Sequence, residues 1–424
     1  MPTPASIRYL LVTHIPFART PEGVQVDGLW ARDLEGLVGS LGPVRVAAPE
    51  LRGDRALQTW GPTSQVLGPD SGVSFAGFPA LSSAADLWGW LRVRAVLRRE
   101  VDQADLVHTS NFFPPYAVLA YAHELAVRRG KKTVFVIAED FQDMLAWEWV
   151  RTAGDSFSRW RRERSLRALD ALVCAPARTA SLTLLHTPAA VLRYRLHARN
   201  GIAIRQPGHE REDVVGEDLF RERCAAVLAG CTLRIAAACR HRPFKGLDFL
   251  INAVALLAQQ GIGVEVCVYG QGEETASLQA LADRVGVGDR VSFPGGLPPG
   301  EEVYRALAGA HLFAMPHRTT DFGRAFFDAL SAGLPVVAFR TPASADTVRD
   351  GVDGLLTPST ISKGWRPDCA ASTRIAPCWS ALPRQQGPGP WSIPALLGTA
   401  GGRHGPRHFS RSRIGRRSRV RQPA

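Results

Sequence analysis

Along the first 360 residues, short apolar runs alternate with longer stretches whose apolar positions recur every three to four residues. The runs "IRYLLVT", "VRVAA", "DLVHTS", "KTVFVIA" and "ALVCA" predict five strands in the first half of the chain. "LRIAAAC", "VEVCVYG", "RVSFPG", "LFAMP" and "PVVAF" predict five more in the second. Gly246–Gln260, Glu273–Val285 and Glu301–Ala310 carry helical spacing. Near-continuous apolar strands separated by helices imply parallel sheets covered on both faces. The irregular polar stretch around Arg205–Gly216 divides the two sets. The pattern predicts an α/β chain of two doubly wound domains facing a cleft, residues 1–210 and 211–360. Ligands of such sheets bind outside the carboxyl ends of strands, so the post-strand loops are where chemistry is expected.

Ile361–Ala424 breaks the pattern. It has no glutamate, eight Pro, eight Gly and three Trp, without periodicity, and ends "FSRSRIGRRSRVRQPA". It reads either as a disordered basic tail or as an out-of-frame translation. It also changes the meaning of the net charge of +12: twelve Lys and Arg against the single acid Asp368 put +11 there, leaving +1 on the first 360 residues. A basic footprint on a folded face, as nucleic-acid binding requires, is therefore absent, and no nucleic-acid partner is expected. With 45% hydrophobic and 21% charged residues the chain reads as globular. No apolar run approaches the roughly 18–20 residues of a membrane span. "IRYLLVTHIPF" reads as a buried strand rather than a leader. Seven scattered cysteines without a C-x-x-C pair suit reduced thiols, and a cytoplasmic protein is expected.

The loops then supply candidates. After "LRIAAAC" come Arg240, Arg242 and Lys245 beside a helix start near Gly246. Basic side chains there make either an anion site or solvated surface charge. Gly270 and Gly272 follow a strand, but Thr275 stands where a dinucleotide fingerprint has its third glycine, so they read as a tight turn open to a ligand. In "TDFGRAFFDALSAGLPVVAF", Gly323 lets backbone N–H groups approach a ligand at the head of a helix. Asp328 then either accepts from sugar hydroxyls or pairs with Arg324 at i,i+4. In the first half, Gly23 and Gly28 follow the first strand, His108 ends another, and Glu139 and Asp140 end a third. "LWGWLRVRAVLRREV", Leu87–Val101, is amphipathic and basic. It is either packed on a sheet with its arginines wet or in weak peripheral contact with an anionic membrane.

Taken in order, "CRHRPFKGLDFLINAVALL", "VYGQGEE", "DRVSFPG", "AMPHRTTDFGRAFFDALSAGLPVVAF" and "VRDGVDGLL" resemble the family 4 glycosyltransferases, retaining enzymes of the GT-B fold with two Rossmann-like domains. The likeness is best from Leu233 to Leu356. It implies a nucleotide-sugar-dependent hexosyltransferase of carbohydrate biosynthesis, with the donor on the second domain and a small-molecule or lipid-linked acceptor on the first. Neither metal nor resident cofactor is implied. Arg240 and Lys245 correspond to the basic pair on the donor diphosphate. Gly23, Gly270, Gly272, Asp321, Phe322, Gly323, Arg324 and Asp328 fall in the donor loops, Asp328 at the glutamate position associated with the ribose. Thr320 replaces the glutamate placed near the transferred sugar, and Asp346 replaces another. Glu139 and Asp140 stand where many members have a histidine. A non-catalytic nucleotide-binding GT-B protein and a sugar-nucleotide epimerase are the alternatives.

Overall fold

Two sheets organise the chain. The computed structural model describes residues 7–51, 64–81, 86–111, 117–138, 145–147, 154–205, 214–297, 300–319 and 323–358. The tail from 361 and most of the linking stretch lie outside the described residues. The first half runs β1 (Tyr9–Val12), β2 (Phe17–Thr20), β3 (Gly23–Asp27), α1 (Gly28–Leu41), β4 (Val44–Leu51), β5 (Ser64–Leu67), β6 (Val73–Pro79), α2 (Leu87–Gln103), β7 (Leu106–Ser110), α3 (Ala117–Arg128), β8 (Lys132–Ile137), α4 (Ser156–Thr179), β9 (Leu182–Leu185), α5 (Pro188–Tyr194) and β10 (Gly201–Ala203). The second runs α6 (Glu217–Leu228), β11 (Leu233–Ala238), α7 (Leu247–Gln259), β12 (Val264–Tyr269), α8 (Thr275–Arg284), β13 (Val291–Gly295), α9 (Glu301–Ala308), β14 (Leu312–Met315), α10 (Ala325–Ser331), β15 (Val336–Arg340), α11 (Pro342–Thr347) and β16 (Gly354–Pro358).

The second sheet is parallel throughout, in the order β13-β12-β11-β14-β15-β16. Its strands read as continuous apolar runs because both faces are covered. Ile235 and Ala237 of β11 enter the core under α7 and α8, while Ala236 enters the opposite core with Phe326 and Ala329 of α10. The chain leaves β11 for β12 on one side and returns to β14 on the other. The loops after β11 and β14 therefore flank the point where the strand order reverses, the crevice position where doubly wound sheets bind ligands.

The first sheet has the same parallel centre, β10-β9-β8-β7-β1-β4, with β6 also on β4. An edge ribbon of β2, β3 and β5, antiparallel within itself, extends it. Six of its strands have no counterpart among the predicted runs, and one prediction is corrected. "ALVCA", read as a strand, lies inside α4. Leu166, Val173 and Ala177 are buried while Leu172 and Ala175 are exposed, a helical period that a five-residue apolar run cannot reveal. The amphipathic stretch Leu87–Val101 is packed on the sheet as α2, through Val93, Leu97 and Val101. Leu87, Trp88 and Leu91 remain exposed at its start. No helix among the described residues is long and apolar enough to cross a membrane.

Candidate active site

The loop after β11 closes into a 3₁₀ turn over Pro243–Lys245, in which the Lys245 N–H donates to the Arg242 carbonyl at 2.9 Å. Gly246 follows with φ +70°, and a Cβ there would lie 1.9 Å from the carbonyl oxygen of Pro316. This turn is thus pressed directly on the loop after β14. Arg240 and Arg242 are exposed, whereas Lys245 is half-buried with Nζ 5.2 Å from the Phe244 ring centre. The three basic residues anticipated from the sequence lie on this loop, beyond the carboxyl end of β11.

Arg318 was not singled out in the sequence, where it reads as one more loop charge. It is buried, its backbone N–H donates to the Phe244 carbonyl at 2.8 Å, and its guanidinium binds the Pro243 carbonyl and the Asp248 carboxylate. The guanidinium carbon stands 4.2 Å from the Phe249 ring centre. The signal that could have found it is its place directly behind a buried strand, three residues after Met315.

Gly270 and Gly272 form the tight turn expected after β12, and packing within the chain requires both glycines. A Cβ on Gly270, at φ +113°, would meet the Cys239 carbonyl at 2.0 Å, and one on Gly272 the His241 carbonyl at 2.5 Å. The backbone they admit is the chain's own, so the turn after β12 buttresses the loop that carries Arg240. His241 is buried with Nδ1 2.9 Å from Thr275 Oγ1, and burial lowers its pKa. Thr275 closes the same turn by accepting from the Gly272 N–H at 3.0 Å. The absence of a third glycine is thereby explained.

At the head of α10, Gly323 leaves room beside Met315 and His317, whose nearest atoms would stand 3.1 and 3.5 Å from a Cβ. Arg324 makes no i,i+4 pair with Asp328. Its Nη2 reaches Asp33 of α1, in the other half, at 3.1 Å. Asp328 instead accepts from the Tyr304 hydroxyl at 3.4 Å. Thr320, Asp321 and Phe322 lie outside the described residues, as do Glu139 and Asp140. Gly23 sits at the tip of the β2–β3 ribbon, where the Leu67 carbonyl would lie 2.3 Å from a Cβ, which accounts for the glycine by strand packing. His108, with Tyr9 Oη on its Nδ1, is pushed down to about 4 by burial. His186, missed in the sequence, follows β9 and is likewise lowered to about 4, chiefly by burial and then by the charges of Arg324 and Arg205.

Residues 232–365 match the family described as glycosyl transferases group 1. This match takes in most of the C-terminal half. The D-inositol 3-phosphate glycosyltransferase of Segniliparus rotundus is 33% identical over 138 residues, 31% of this chain and 30% of that protein. The GDP-mannose-dependent alpha-(1-6)-phosphatidylinositol monomannoside mannosyltransferase of Mycolicibacterium smegmatis is 34% identical over 125 residues, 28% and 32% of the two chains. The chain thus spans about a third of the length of these curated relatives. In fold, HepE of Anabaena, solved with UDP and glucose, has a TM-score of 0.61 at 18% identity, covering 92% of this chain and 94% of that one. The sucrose-phosphate synthase of Thermosynechococcus elongatus has a TM-score of 0.60 at 15% identity, covering 88% and 90%. Both halves together have the GT-B fold. The group 1 glycosyl transferase match contains both loops of the crevice, so Arg240, Lys245, Arg318, Gly323 and Asp328 all lie within it.

Proposed function

We propose that this protein is a hexosyltransferase that moves a sugar from a nucleotide-diphosphate sugar to an acceptor hydroxyl, with retention at the anomeric carbon and without a metal. The observation that carries the reading is the seating of the Lys245 turn against the loop after β14, at the point where the second sheet reverses its order. In this reading Arg240 and Lys245 face the donor diphosphate and the backbone at Gly323 approaches it. Asp328 holds the ribose hydroxyls. As the bond between sugar and diphosphate breaks, negative charge grows on the leaving oxygens, and positive groups held ready for it lower the barrier. The acceptor, a small molecule or a lipid-linked one, lies on the N-terminal half beside Glu139 and Asp140. The exposed Leu87, Trp88 and Leu91 next to the arginines of α2 support weak contact with an anionic membrane surface, which co-sedimentation with vesicles with and without anionic lipid tests.

Thr320, in the position where the resemblance puts a glutamate near the transferred sugar, favours a second reading: a nucleotide-binding GT-B protein without turnover. Calorimetry with UDP, GDP and ADP, followed by hydrolysis assays on UDP-glucose and GDP-mannose, separates the two. Binding with turnover supports the transferase, binding without turnover the second reading, and no binding of any nucleotide removes both.

A further inference from the structure

The turn that carries Lys245 has little of its own to hold it. Two internal bonds close it, from the Lys245 N–H to the Arg242 carbonyl at 2.9 Å and from the Gly246 N–H to the Pro243 carbonyl at 3.4 Å, and Arg240 and Arg242 on its flank are exposed. The turn after β12 supports the residues before it, and the loop after β14 grips the turn itself. The Arg318 N–H donates to the Phe244 carbonyl at 2.8 Å, and its guanidinium grips the Pro243 carbonyl and the Asp248 carboxylate together. Two successive residues of the turn and the first turn of α7 are thus tied to one residue, through its backbone and its side chain.

That side chain is itself locked. Its exposure is 6%, it lies 4.2 Å from the Phe249 ring centre, and Trp147 of the N-terminal half stands 5.8 Å away. A planar fork can bind a carbonyl and a carboxylate at once while stacking on a ring, which an ammonium cannot do. Nearly excluded from solvent, with both terminal nitrogens on the protein's own acceptors, this guanidinium is not presented to a ligand.

We propose that Arg318 is a positioning residue: it holds the Pro243–Lys245 turn so that Lys245 meets the donor diphosphate, acting on the ligand only through that turn. The inference rests on the diphosphate role proposed for Lys245. A structural residue and a positioning residue differ in one measurable respect. If Arg318 acts only through Lys245, its loss costs nothing further once Lys245 is gone.

The test is a double-mutant cycle on the full chain, read as affinity for UDP, GDP and ADP by calorimetry. Lys245→Ala is expected to weaken binding of the preferred nucleotide by about 10- to 100-fold, the range for bonds to charged groups. Arg318→Lys, which keeps the charge and loses the fork, is expected to weaken it by about tenfold. The double variant should bind within about threefold of Lys245→Ala alone. Should Arg318→Lys fail to fold, Asp248→Asn, which leaves the carbonyl bonds of the turn in place, takes its position in the cycle. Full additivity with an impaired Lys245→Ala, or wild-type affinity in Arg318→Lys, overturns the positioning role and leaves the diphosphate reading intact. Wild-type affinity in Lys245→Ala, or no nucleotide binding by the unaltered chain, removes the diphosphate reading and this inference with it.

Discussion

Arg324 Nη2 stands 3.1 Å from Asp33 Oδ2, joining the head of α10 to helix α1 of the opposite half. Burial raises the Asp33 carboxyl above its usual pKa, and the Arg324 charge opposes that shift without cancelling it. Between the ordinary and the raised value the folded chain holds more protons than the unfolded one, so this group lowers stability as pH rises through that window. Above the window the cost is constant. The ion pair is about a third exposed at Arg324 and returns at most about 1 kcal/mol.

Asp33→Asn is therefore expected to melt at the same temperature as the wild type at pH 7, or higher. The difference should vanish as pH falls below about 4, where the aspartate is protonated in both states. Melting curves from pH 3 to 8 check this. A drop of several degrees at pH 7 would show that the pair is net stabilising.

His123 gives the opposite sign. It is buried between the hydroxyls of Thr109 at 3.3 Å and Thr179 at 3.0 Å, and burial lowers it to about 4. The unfolded chain takes up a proton near pH 6.5 and the folded chain resists until about 4. Its contribution is complete above about 6.5 and is lost as pH falls toward 4, by up to about 3 kcal/mol. His108 and His186 act in the same window. His123→Gln should be less stable at pH 7 yet lose less on acidification. An unchanged slope would place the acid sensitivity elsewhere.

The C-terminal half was legible because its parallel strands are buried on both faces, which turns each into an unbroken apolar run such as "PVVAF". The ribbon of β2, β3 and β5 was not, since β3 pairs with a partner some forty residues on and carries glutamine and aspartate in its own run. In "ALVCA" the local chemistry suits either period, and only the burial of Val173 and Ala177 settles it. Arg240 and Lys245 could be read as a pair because they lie on one short loop. The contacts of Arg324 and Arg318 could not, since their partners are 291 and 70 residues away in the chain.

Gly246 offers a sharp test of the seating between the two crevice loops. Its φ of +70° strains any other residue, and a Cβ would stand 1.9 Å from the Pro316 carbonyl oxygen. The left-handed backbone alone costs about 1–2 kcal/mol, before the clash is relieved. Gly246→Ala should lower the melting temperature by several degrees and displace the Lys245 turn, weakening nucleotide binding as well. A variant with wild-type stability would show that the loops part without cost.

Lys245 carries the functional prediction. Its Nζ lies beside the Phe244 ring on a turn clamped from behind, so its position is set before a donor arrives. Preorganised positive groups aimed at developing charge are worth on the order of 10²–10³ in rate each. Lys245→Ala should then cut kcat for donor hydrolysis by about that factor, with little change in melting temperature because the side chain is only half-buried. Arg324→Ala should do less, since its guanidinium is engaged by Asp33. Asp328→Ala should raise KM for the donor more than it lowers kcat, as a ribose contact present in both ground and transition states would. Steady-state hydrolysis of UDP-glucose and GDP-mannose, with and without a chelator, measures all three. An unchanged kcat in Lys245→Ala, or activity abolished by the chelator, would sink the metal-free charge mechanism and move the leaving-group stabilisation to another part of the crevice.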